Sequence, residues 1–211
     1  MTKQYVVTQD AINEIGLQLA PRISKMLDKH RKSIYGDSIR AKSDMGEVIL
    51  SKAISQAKMG PSGHEPGSHR VEHDMWLSIK EEGIRNKIDL SVSHKSGKYF
   101  IDKNEIEFTG YRTTGKQFVD LDSRIKHFHK ASADLFIFLS AKNKASISDP
   151  YYFTIISAPM LRYGAAEDWQ DMGNGNYRFE SDSLSAKIAA QCSQQLTTRL
   201  RLDQNAFIVE V

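Results

Sequence analysis

An α/β fold, with a central mixed β-sheet flanked by helices, is what this sequence predicts. Three observations carry the expectation. The stretch from Ile88 to Phe108 reads as two strands about a Ser96-Gly97 turn signal. An amphipathic helix pattern at 120–131 then leads into a continuous apolar run at 134–140, which marks a strand buried on both faces. Strand, helix and buried strand in that order form a crossover unit. Helical periodicity at 9–32 and 43–58 supplies further layers for the sheet.

Taken in order, residues 9–32 place Ile12, Ile15, Leu19, Ile23, Met26 and Leu27 at spacings of three and four, with Thr8 as a cap and Pro21 set to split the segment. Arg22, Lys25, Lys29, Arg31 and Lys32 crowd its end, where cations suit a helix C-terminus and give only a weak polyanion signal. A second helix is expected at 43–58, capped by Ser43 or Asp44, with Glu47 in its first turn. Residues 60–70 hold three glycines and two prolines and read as a loop. His64, His69 and His73 match no zinc spacing and read as exposed or phosphate-contacting. Residues 71–83 resume a helix-like pattern through Met75, Trp76 and Ile79. After the hairpin, 110–117 is a polar loop, 151–157 a strand, and 163–178 an exposed loop or hairpin. Leu184, Ile188, Cys192, Leu196 and Leu200 recur every four residues, which favours a helix at 183–202, although Leu196 to Leu202 also suits the start of a strand. Residues 207–211 form a terminal strand.

The chain has 211 residues, 40% hydrophobic and 26% charged, which suits one domain able to bury a sizeable core. A net charge of +3 and a pI near 8.8 are compatible with a polyanionic partner without demanding one. Cys192 is alone, so no disulfide framework or cysteine-rich zinc site is expected, and a reducing cytoplasm fits. The N-terminal residues lack the apolar core of a signal peptide, and no apolar window is long enough to span a membrane.

The expected hairpin concentrates acid. Glu105 and Glu107 are two apart on one strand and share a face, and a turn at Ser96-Gly97 would bring Asp89 beside them. A loop extended through Lys98 sets Asp89 opposite Glu105. Three converging carboxylates repel unless a cation offsets them, and Mg²⁺ takes oxygen ligands of this kind. The alternative is a hairpin with solvated charges.

Helix with an acid, strand with Asp89, strand with Glu105-x-Glu107, helix and buried strand together resemble the PD-(D/E)xK nuclease superfamily, in particular type II restriction endonucleases, over residues 43–140. The resemblance implies a single nuclease domain across 1–211, with a restriction-endonuclease-like core at about 43–160. It implies a Mg²⁺-dependent hydrolase of a prokaryotic, cytoplasmic restriction system, with Mn²⁺ as a substitute ion, cutting double-stranded DNA at a specific sequence as a homodimer. By position, Asp89 resembles the family's first acid and Glu105 the second. Glu107 stands where the motif lysine usually stands, a departure that makes it a base or a further metal ligand. Lys103 shares the strand face by parity and is a candidate for the missing cation. Glu47 is either a dipole-complementing helix acid or a fourth acid aimed at the cluster. Tyr111, Arg112, Thr113, Thr114, Lys116 and Arg124 follow the acidic strand and are the candidate DNA contacts, with a solvated surface as the alternative. Two other functions compete: a nucleic-acid-binding protein without catalysis on the same fold, and a metal-dependent RNase.

Overall fold

The computed structural model describes residues 6–31, 39–60, 74–80, 87–112, 120–130, 133–141, 151–189, 195–203 and 206–211. It is an α/β structure with a large mixed sheet and three α-helices among the described residues.

Helix α1 (Gln9–Arg31) starts at Thr8, whose Oγ1 accepts from the Ala11 N–H at 3.3 Å. Ile12, Ile15, Leu19, Ile23 and Leu27 are buried along one stripe, as their spacing requires. The helix runs through Pro21 instead of dividing there. Proline leaves the carbonyl of Leu17 without its helical donor, but Leu17 and Pro21 face solvent, and Arg22 donates to the adjacent Gln18 carbonyl. Helix α2 (Ile39–Gln56) buries Ile49, Leu50, Ala53 and Ile54. It begins four residues before the expected start, so Glu47 lies two turns inside it and the first-turn dipole explanation for that residue lapses.

Strand β1 (Met75–Ile79) replaces the helix expected at 71–83. Met75, Leu77 and Ile79 are buried at alternate positions, a period of two that five residues satisfy in extended form. Strand β2 (Ile88–Phe100) is thirteen residues long and passes straight through Ser96-Gly97. Gly97 serves close strand approach rather than a turn: a Cβ there would meet the Glu107 carbonyl oxygen at 2.8 Å and Ser140 Oγ at 3.1 Å. The chain turns instead through the 3-10 segment Ile101–Lys103 to Asn104, which holds a left-handed φ of 51°. Asn104 accepts from the Tyr99 hydroxyl at 2.7 Å and donates to the Leu202 carbonyl, which fixes the turn.

Strand β3 (Glu105–Arg112) returns antiparallel to β2, α3 (Leu121–Lys130) crosses over, and β4 (Leu135–Ala141) pairs parallel with β2. Strand β5 (Tyr151–Ser157) lies between β4 and the terminal β10 (Ala206–Glu210). Strands β6 (Gln170–Asp171) and β7 (Tyr177–Glu180) form a hairpin. Strands β8 (Leu184–Ala189) and β9 (Gln195–Arg201) occupy the segment whose four-residue repeat favoured a helix. A period of four is also twice the strand period, and Leu184, Ala186, Ile188, Leu196, Thr198 and Leu200 are all buried at alternating positions.

The sheet order is β10-β5-β4-β2-β3-β9-β8-β7-β6, with β1 on the same edge of β2 as β3, further toward its start. One core lies between the sheet and α1 and α2, lined by Leu90, Val92, Ile137 and Phe153. The other lies on the opposite face, with Phe128 of α3, Phe136, Phe138 and Tyr163. Among the described residues no helix is long and apolar enough to cross a membrane.

Candidate functional site

The β2–β3 register decides the expected acid cluster. Phe100 pairs with Glu105 and Lys98 with Glu107, whereas Asp89 pairs with Ser78 of β1. Asp89 therefore stands eleven residues from the position opposite Glu105, about 36 Å at about 3.3 Å per residue. Parity separates them as well, since Asp89 and Phe100 point to opposite faces of β2. The structure does not bring Asp89 to Glu105 and Glu107, and these three residues do not fit one divalent ion. The turn that would have joined them lies at 101–104, not at Ser96-Gly97.

Asp89 and the two glutamates have different neighbours. Asp89 accepts from the Ser78 hydroxyl. Glu107 is paired with Arg199 of β9 at 2.7 Å, and Glu105 lies 4.0 Å from both Arg199 and Arg201. The cation that adjacent carboxylates require is thus supplied by β9. Lys98 and Arg199 both lie over the Phe100 ring, at 4.6 and 4.8 Å. Lys103 sits exposed in the 3-10 turn and not on β3, so strand parity does not place it beside the glutamates. Glu47 is half-buried on α2, one residue after Gly46. Arg124 is half-buried on α3, with no partner for its Nε among the described residues. Tyr111 and Arg112 end β3, but the Tyr111 and Arg112 side chains, and all of Thr113, Thr114 and Lys116, lie outside the described residues, as do His64, His69 and His73.

A different acid meets a lysine. The Asp74 N–H donates to the Val92 carbonyl at 3.1 Å, which sets Asp74 across from Ser93. Asp74 Oδ2 accepts from Ser93 Oγ at 3.0 Å, from the His94 backbone N–H at 2.6 Å and from Lys95 Nζ at 3.4 Å. Lys95 Nζ also donates to the His94 carbonyl at 3.0 Å. Asp74 and Lys95 are 30% and 22% exposed, so both are held yet reachable. All three hydrogen bonds fall on Oδ2, leaving Oδ1 outside the set.

The same strand face carries a polar row. Ser78, Ser91 and Ser93 are buried there. Asp134, just before β4, accepts from both the Ser91 N–H and hydroxyl, at 2.8 and 2.7 Å. Buried polar groups of this kind are normally satisfied, and these are. On the opposite face His94 lies against α2, where a Cβ on Gly46 would come within 2.5 Å of its Cε1. Loss of solvation pushes the His94 pKa down to about 4, with Asp74 opposing and Lys95 reinforcing the shift. Its Nε2 has no hydrogen-bond partner among the described residues.

Asp74, Ser93 and Lys95 escape a sequence reading that takes 71–83 as helical, because Asp74 then has no strand partner. The usable signal was the alternation of Leu90 and Val92, which already puts Asp89, Ser91, Ser93 and Lys95 on one face. Among the described residues no group of three or more His, Cys, Asp and Glu side chains stands together as a metal site. The chain matches no family model, no curated protein and no solved structure.

Proposed function

We propose that the chain is a Mg²⁺-dependent nuclease acting on double-stranded DNA, of the restriction-endonuclease-like kind, with its reacting centre at Asp74 and Lys95. One observation carries this reading: an acid immediately before one strand is hydrogen-bonded to a Ser-x-Lys segment of the next. The order helix, three strands, helix, strand over 39–141 supports it. Asp74, through its Oδ1, would hold a Mg²⁺ ion, which commonly takes one or two carboxylates and completes its shell with water and substrate phosphate. When bound, the ion supplies a polarised phosphoryl oxygen and a water of lowered pKa. Lys95, steered by Asp74 and the His94 carbonyl, presents a cation to the phosphate. Ser93 orients the Asp74 carboxylate. Cutting both strands with one such centre per chain calls for a homodimer. Light scattering then reads about twice the 23.9 kDa chain mass, and a monomer with and without DNA removes that part of the proposal.

A second reading, binding without cleavage, is favoured by Ser93, which stands two residues before Lys95 where the family's motif carries an acid. Plasmid digestion with Mg²⁺, with and without EDTA, decides between the two. Discrete fragments that disappear with EDTA and with Asp74→Asn support the nuclease. Intact plasmid with retained DNA binding supports the second reading, and preferential loss of RNA points to an RNase.

A further inference from the structure

The helical layer holds a cleft of about 680 Å³ between α1 and α2. Its lining has a definite chemistry. Lys25 and Lys29, one turn apart on α1, face Lys52 of α2 over a floor of Met26 and Ile49, with Ser55 at one side. All three lysines are exposed. No carboxylate lines the cleft, and none of the three lysines has an ion pair, among the described residues. Asp28, which lies between two of them in sequence, is not part of the lining. Three ammonium groups gathered over an apolar floor repel one another, and an anion shared among them removes that repulsion.

We propose that this cleft holds the phosphodiester backbone of a nucleic acid. The inference rests on the nucleic-acid reading above but concerns a separate place. Asp74, Ser93 and Lys95 lie on the sheet face turned toward Phe136 and Phe138, whereas α1 and α2 cover the other face. The cleft therefore grips flanking backbone and not the phosphate under attack. The donor set selects this occupant. Among the described residues the lining holds no arginine, whose planar fork suits paired recognition of carboxylates; lysine is a compact point charge on a long stem, suited to phosphate without regard to base sequence. Lys25 and Lys29 are separated by about 6 Å of helix axis, less than two phosphate steps at about 3.4 Å per strand.

The test is fluorescence anisotropy of a labelled duplex across a salt series in EDTA, comparing the full chain with the triple variant Lys25→Gln, Lys29→Gln, Lys52→Gln. Each lysine that neutralises a phosphate contributes about 0.9 to the log–log salt slope, so the triple variant is expected to show a slope shallower by about 2.7. These side chains are exposed, and an unchanged circular-dichroism melt shows that the variant is folded. An unchanged slope overturns the proposal, as does failure of the wild-type chain to bind the duplex. A polyglutamate competitor that binds the wild type but not the variant, with duplex affinity unaltered, assigns the cleft to an acidic protein and also overturns it. Cleavage is scored separately: if Asp74→Asn cuts like wild type, the catalytic reading fails while the slope still decides the cleft.

Discussion

The middle and the end of β2 each lie where acid meets base, and they do so differently. At its middle, Asp74, the residue before β1, reaches across to one serine hydroxyl, one backbone N–H and one ammonium, all converging on a single oxygen. Near its end, Glu105 and Glu107 sit on the open sheet opposite arginines of β9, and only the Glu107–Arg199 pair is close. The first arrangement is directional, part-buried and tied to backbone. The second is a cross-strand charge ladder of a kind common on antiparallel sheets. An acid held by its neighbours in one orientation is the better candidate for chemistry. Substitutions that separate the two regions are therefore the informative ones.

The largest difference is expected in cleavage. Asp74→Asn or Lys95→Ala should lower Mg²⁺-dependent cutting about 100-fold or more, the scale of losing a group that handles charge at the reacting centre. Glu105→Ala should leave cutting within a few-fold of wild type. Plasmid digestion rates measure both. The reverse pattern would return the chemistry to the Glu105–Glu107 strand.

Why Asp89 stands apart from the glutamates that the sequence sets beside it is a matter of register. The Glu105-x-Glu107 string is visible, and the helix, hairpin, helix, buried-strand order around it corresponds to α2, β2–β3, α3 and β4. The turn position is not visible. Ser96-Gly97 has turn composition, but its glycine is consumed by close approach to Glu107 and Ser140, and Asn104, which makes the real turn, draws its partners from Tyr99 and distant Leu202. Local composition cannot encode a partner about a hundred residues away. The same limit hides Arg199, since the β8–β9 segment has a four-residue period that fits helix and strand alike. Long elements with unambiguous periods, α1, α2, α3, β4 and β5, are legible because their burial pattern is local.

Acid is expected to expose the next difference, through His94 behind the Asp74 clamp. Its imidazole takes a proton near pH 6.5 when unfolded and near pH 4 in the fold. The stability this depressed pKa protects is complete above pH 6.5 and is lost as pH falls from 6.5 toward 4. The loss runs at up to about 1.4 kcal/mol per pH unit, about 3 kcal/mol across the window. Thermal melts in that range should steepen for wild type and flatten for His94→Gln. Parallel curves would place the acid sensitivity elsewhere.

Gly46→Ala sharpens the same region at a smaller scale. A methyl group there would stand 2.5 Å from His94 Cε1 and 2.7 Å from Nε2, so the ring or the helix must shift. Overpacking costs about 1–3 kcal/mol, against a helix-propensity gain of about 1 kcal/mol for replacing glycine. A net fall in Tm is expected. A rise would mean that α2 does not rest on His94.

The smallest effect belongs to the ladder. Arg199 is 39% exposed and Glu107 is 30% exposed, so solvent screens their 2.7 Å ion pair. Pairs of this exposure contribute about 0.2–1 kcal/mol. Arg199 does more than pair: it also lies over Phe100 and approaches Glu105. Arg199→Ala therefore leaves two neighbouring glutamates with Arg201 as their nearest cation and removes a cation–π interaction, so its cost should reach the upper part of that range. Glu107→Gln keeps the shape and a hydrogen bond, and it relieves Glu105 of a like charge, so it should cost less than Arg199→Ala. A double-mutant cycle between the two positions, read from urea melts, isolates the pairwise part. A coupling energy well above about 1 kcal/mol would mark this end of β2 as a held, directional site like the one at Asp74.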